Sequence, residues 1–167
     1  MDTLKTQVAT LIEQEPRLRP VSIAERLGVA ELAVIEVLPD EMVSIAPGEQ
    51  AQAILESLVG FGPVTTITHS FGSIFEIKAP FPKGSVAHGY YNLHGQPGEL
   101  HGHLKLSEVQ SVALVSKPFM GKDSHYFGFY TEQGNNIFKV YLGRDEKGEL
   151  FAEQVERFKQ MHADLKK

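Results

Sequence analysis

The spacing of apolar residues along this chain changes near residue 62. Before it, Leu4, Val8, Leu11 and Ile12 recur at helical steps, predicting a helix that Pro16 ends. Ser22-Ile23-Ala24-Glu25 has capping-box spacing and predicts a short helix that Gly28 closes. Leu32, Ile35 and Leu38 form the stripe of a third helix ended by Pro39, and residues 50–59, after Pro47-Gly48, read as a fourth. From Val64 onward the period is two, in runs of β-branched and aromatic residues broken by Gly and Pro. Strands are expected near 64–70, 73–79, 86–94, 99–106, 110–116, 124–131 and 136–142. Gly95-Gln96-Pro97-Gly98 and Glu132-Gln133-Gly134-Asn135 carry the residues of tight turns and predict hairpins. Phe151, Val155, Phe158, His162 and Leu165 predict a closing amphipathic helix over 149–165. The expectation is one domain of α+β class, with a helical part over 1–60 and an antiparallel sheet plus closing helix over 61–167.

Charge and composition narrow the chemistry. The chain has 167 residues with a net charge of −5, which argues against binding a polyanion. Residues 1–60 hold ten acids and four bases, so the negative charge belongs to the helical part. The absence of cysteine excludes disulfides, thiolate metal sites, iron–sulfur clusters and cysteine nucleophiles. Met1-Asp2-Thr3-Leu4-Lys5 lacks an apolar signal core and no run reaches the roughly 18 apolar residues of a membrane span, so a cytoplasmic protein is expected. Six of the seven histidines and four of the five tyrosines lie between residues 61 and 130, which places any site in the sheet.

The stretch around Gly95–Gly98 is the most informative. With those four residues as the loop, His94 faces Glu99, Asn92 faces His101, and Tyr90 faces His103. One face then carries Tyr91, Leu93, Leu100 and Leu104, and the other His88, Tyr90, Asn92, His94, His101 and His103. A phenol beside an imidazole is a usable pair: ferric iron can take the phenol as phenolate, the imidazole can accept the proton, and tyrosinate is a known heme ligand. A solvated outer face is equally the ordinary condition of an antiparallel sheet. His101-Gly102-His103, completed by Glu99 or His88, offers a divalent-metal alternative. His125 and His162 read as structural.

Residues 22–38 have the outline of a helix-turn-helix. Its second helix carries Glu31 and Glu36 and no Lys or Arg, so it would repel phosphate and reads instead as a packing unit. No phosphate loop, dinucleotide fingerprint or Gly-x-Ser-x-Gly elbow is present. Lys78, Lys105, Lys117, Lys122 and Arg144 are cations able to hold a carboxylate, or charges that protect sheet edges.

Five stretches stand out together: Thr65-Thr66-Ile67-Thr68-His69, His88-Gly89-Tyr90-Tyr91-Asn92-Leu93, Gly102-His103-Leu104-Lys105, Phe119-Met120-Gly121-Lys122-Asp123 and Leu142-Gly143-Arg144-Asp145. In order and spacing they resemble the cytosolic heme-utilisation carriers of the HutX/ChuX kind. The resemblance runs over nearly the whole chain. It implies a large curved antiparallel sheet with N-terminal helices and a C-terminal helix, and a homodimer. The implied role is to bind ferric heme b and pass it to a cytosolic heme-degrading partner during bacterial iron acquisition. By the same resemblance Tyr90 is the axial iron ligand, with His103 and His69 as supporting or alternative ligands, whereas His94 and His101 fall outside the shared pattern. Phe75, Phe119 and Met120 are candidates for the apolar cleft a porphyrin needs, and equally for the core. A heme-degrading enzyme is the competing expectation, and a DNA-binding regulator a more remote one.

Overall fold

The computed structural model describes residues 3–166. Helices α1 (Leu4–Gln14), α2 (Pro20–Leu27) and α3 (Glu31–Glu36) come first, then strand β1 (Val43–Pro47) and helix α4 (Ala51–Leu58). Strands β2 (Pro63–Ser70), β3 (Ser73–Pro80), β4 (Lys83–Ala87), β5 (Tyr90–His94) and β6 (Gly102–Leu104) follow. Strands β7 (Ser111–Ser116), β8 (His125–Tyr130) and β9 (Asn136–Leu142) lead into helix α5 (Ala152–Leu165). The α+β class is as expected.

Helix starts show which local signals act. Thr3 caps α1 by accepting from the Thr6 N–H at 3.2 Å. In α2 the capping-box expectation fails: Ser22 lies inside the helix, which starts at Pro20, whose fixed φ suits a first helical position. Gly28 does close α2, in the left-handed conformation at φ 68°.

All pairings are antiparallel, and they divide the strands into two sheets rather than one. The larger has the order β1-β7-β8-β9-β2-β3 and the smaller β4-β5-β6. Strand β1 was not foreseen; its five residues carry only a short apolar alternation between two prolines, and it is held by pairing with distant β7. Every residue of β8 is buried, because both faces of the large sheet are covered at this central strand. Leu114, Phe127, Phe129 and Val140 enter a cluster with α4, α5 and the small sheet. Ala113, Val115, Tyr126 and Tyr130 enter a second cluster with α1–α3.

Polar side chains tie the layers together. Gln154 of α5 accepts from the Gly143 N–H at 2.8 Å and donates to Phe61 O at 2.9 Å and Pro63 O at 2.7 Å. On the opposite face Glu31 of α3 is buried, pairs with Lys139 of β9 at 3.0 Å and accepts from the Tyr130 hydroxyl. With Leu32, Val34 and Ile35 also buried, α3 is a packing helix, as its charge suggested.

Candidate functional site

The small sheet is built to show one polar face. Strands β4 and β5 are joined by a two-residue turn, His88 at φ 55° and Gly89 at φ 82°, so the single strand expected over 86–94 is a hairpin. Positive φ at both positions matches the right-handed twist of the paired strands, and histidine is among the side chains that tolerate it. Along β5, Tyr91 and Leu93 are buried while Tyr90 and His94 point outward. The Tyr91 ring lies on the Gly84 backbone so closely that a Cβ there would sit 2.3 Å from it. This contact packs β4 against β5 on the hairpin's buried face, where Tyr91 and Leu93 join the core, and strand alternation sets Tyr90 on the outside.

Pairing of β5 with β6 runs two residues away from the expected register. Tyr91 faces Leu104, Asn92 faces His103, and Leu93 faces Gly102. His94 pairs with Lys83 instead of Glu99, and Glu99 closes a turn by accepting from the Gln96 N–H at 3.1 Å. A shift of two preserves the faces, so the predicted division holds. Tyr90 and His103 become diagonal neighbours, their rings edge-to-face at 5.9 Å, and His103 Nδ1 meets Asn92 Oδ1 at 2.6 Å. His94 is engaged by Ser85 at 2.8 Å. His101 falls in the loop, and among the described residues no three His, Asp or Glu side chains converge on a common metal position. The expected set of His101, His103 and Glu99 or His88 is therefore not assembled within one chain.

Burial separates Tyr90 from the other tyrosines. Desolvation pushes the phenols of Tyr91, Tyr126 and Tyr130 upward, and that of Tyr141 to about 12, so ionisation at any of these is unfavourable. Tyr90 is 41% exposed and stands beside an imidazole. It is the tyrosine able to meet a large planar ligand from solvent.

The remaining expected site residues lie elsewhere. His69 of β2 is half-buried on the α1–α3 side of the large sheet, and its imidazole is lowered first by burial, then by Lys139 and Arg19. Phe119 and Met120 occupy a tight turn between β7 and β8, 39% and 60% exposed. Phe119 borders a 180 Å³ pocket with Arg19, Ile67, Tyr126 and Tyr141, which is below the roughly 300 Å³ of ordinary small-molecule sites. Phe75, 64% exposed on β3, is not core either. Within one chain these residues do not converge on Tyr90. A cavity of 760 Å³ between Lys122, Arg144, Leu150, Val155 and Lys159 contains none of them. Among the expected cations, Lys117 is taken up by Pro16 O, and Arg144 by Asp123 O and Gly148 O. Lys105 stays exposed, directly after the Leu104 that faces Tyr91.

Residues 44–161 match the family model described as Haem utilisation ChuX/HutX. The chain belongs to this family. It is 62% identical over 166 residues, 99% of this chain and 86% of the other, to a Vibrio cholerae protein named Intracellular heme transport protein HutX. A crystal structure of an Erwinia carotovora protein superposes with a TM-score of 0.90 at 32% identity, covering 99% of each chain. Another, described as the heme-binding protein ChuX, gives 0.87 at 30% identity, covering 99% of this chain and all of that one. Among the described residues no helix is long and apolar enough to cross a membrane.

Within the ChuX/HutX framework one feature of this chain escaped sequence reasoning. Asn92 read only as one polar residue among several; its role depends on a partner strand and loop backbone that no local pattern reveals. The buried His125 was foreseen as structural, and its Nδ1 does meet Ser116 Oγ at 2.8 Å beside the Phe158 ring. His162 meets Ser44 Oγ at 2.9 Å in the same manner.

Proposed function

We propose that this ChuX/HutX family member is a cytoplasmic carrier that binds ferric heme b through the Tyr90 phenolate, with His103 beside it, and releases it to a heme-degrading protein. The observation that carries the reading is the pairing of the exposed phenol of Tyr90 with the His103 ring on the polar face of the small sheet. A single phenolate ligand suits a carrier, because protonation or reduction loosens it at the moment of transfer. The outer face of the small sheet is an open platform, whereas small-molecule sites bury most of their ligand. A homodimer in which a second copy covers the exposed porphyrin meets that need. His69, Phe119 and Met120, across the large sheet from Tyr90, are left out of the ligand set of one chain. The large sheet, shared by both hydrophobic clusters, supports residues 1–167 acting as one carrier domain.

Heme titration followed by absorption tests the assignment. Tyr90→Phe is expected to abolish the phenolate-to-iron charge-transfer band and weaken binding, with stability changed by less than about 0.5 kcal/mol, as for an exposed substitution. An unchanged spectrum and affinity would sink it. The enzyme alternative is tested by adding ascorbate and catalase to the complex: a carrier retains its Soret band, while loss of the band with release of iron marks heme degradation.

A further inference from the structure

We infer that Asn92 is a positioning residue that fixes the tautomer of His103, so that its Nε2 faces the heme site as a free base. The inference rests on the reading of Tyr90 and His103 as the heme-facing pair. The orientation of the Asn92 amide is dictated by its surroundings. Nδ2 lies 3.2 Å from Ser85 O, 3.1 Å from Ala87 O and 3.3 Å from Tyr90 O. Turned the other way, the amide would place its oxygen against three carbonyl oxygens with no donor among them. Oδ1 therefore faces His103 Nδ1, 2.6 Å away. An amide oxygen only accepts, so the hydrogen resides on Nδ1, and in the neutral ring the lone pair is left on Nε2.

This arrangement bears directly on heme uptake. When the Tyr90 oxygen bonds to ferric iron, its O–H bond breaks and the proton must go to a base. The neighbouring base is His103, whose ring lies edge-to-face with that of Tyr90 at 5.9 Å; the proton would form an N–H bond at Nε2, giving an imidazolium whose Nδ1–H remains on Asn92 Oδ1. The reverse transfer restores the phenol and releases the iron. A ring carrying its hydrogen on Nε2 would offer that proton no lone pair on the nitrogen left facing the site. The same Asn92 side chain also holds the Ser85, Ala87 and Tyr90 carbonyls, so one residue shapes the turn that presents Tyr90 and sets the protonation pattern of the neighbouring ring.

The tautomer can be read without heme. In the ¹⁵N-labelled heme-free protein at about pH 8, above the ordinary imidazole range, long-range ¹H–¹⁵N correlation should show His103 with a protonated Nδ1 and a bare Nε2. The resonances are assigned by their loss in His103→Gln. Asn92→Leu should move the hydrogen to Nε2 in a substantial fraction of molecules and lower heme affinity by about 10–100-fold, the usual cost of losing a ligand-orienting partner. The inference is overturned by an Nε2–H ring in the unmodified protein, by an unchanged tautomer in Asn92→Leu, or by a changed tautomer with unchanged affinity. Should Asn92→Leu lose its amide dispersion and so fail to fold, the spectrum of the unmodified protein decides alone. A flat heme titration of the unmodified protein would count against the Tyr90 assignment while leaving the tautomer result standing.

Discussion

Strands β8 and β5 each carry two tyrosines, and they put them to different uses. In β8, Tyr126 and Tyr130 are buried beneath α1–α3, where desolvation keeps their phenols neutral and the Tyr130 hydroxyl donates to Glu31. In β5, Tyr91 is buried against Gly84 while the adjacent Tyr90 faces outward. The residue type is the same. The covering of each face decides which phenol becomes structure and which is free to meet a ligand.

Four substitutions or conditions can break or sharpen that contrast. The largest effect is expected at the β8 side: Glu31→Ala removes the partner of buried Lys139 and should cost about 3–5 kcal/mol, measured by urea unfolding. The heme spectrum of the folded fraction should be unchanged; a spectral change would mean that the two sides of the large sheet are coupled. Next, Gly84→Ala drives a methyl group into the Tyr91 ring and should cost about 1–3 kcal/mol. Because it moves the hairpin, it should also weaken heme binding, and intact affinity would show that the Tyr91 clamp does not position Tyr90.

A pH series probes the buried imidazole of His125 and the half-buried one of His162. Burial lowers His125 and His162 below the ordinary 6.5, so the unfolded chain binds more protons than the folded one as pH falls. Their contribution is complete above about pH 6.5 and is lost below it, down to the folded-state values. The limiting slope is about 1.4 kcal/mol per pH unit for each group. Urea midpoints should fall between pH 7.5 and 5.5, and His125→Gln should flatten the decline. The smallest effect is expected at Tyr91→Phe. Its hydroxyl is buried with no hydrogen-bond partner, so removing it should leave stability equal or raise it by up to about 1 kcal/mol. Heme binding should persist. Tyr90→Phe, one residue away, should leave stability nearly unchanged and weaken heme binding.

Much of this organisation was legible in the chain. The change of period separated the helical part from the sheet, Gly28 and Pro39 marked real helix ends, and alternation along residues 88–104 sorted the outward imidazoles and phenol from the inward leucines. Each of these depends on neighbours a few residues apart. Strand β1 was not legible, because its five residues become a strand only by pairing with β7, nearly seventy residues later. The two-residue slip of β6 was not legible either, since it turns on how Glu99 closes the loop.

The sequence alone determined which residues share a face, because side chains of a strand alternate whatever the strand packs against. Only the tertiary structure decided which faces are covered. It separated His69, Phe119 and Met120 from Tyr90 across the large sheet, buried Glu31 against Lys139, and turned Asn92 toward His103 by surrounding its amide nitrogen with carbonyls. Those outcomes depend on contacts between distant segments, and desolvation by such contacts is what makes one tyrosine inert and leaves another available to a ligand.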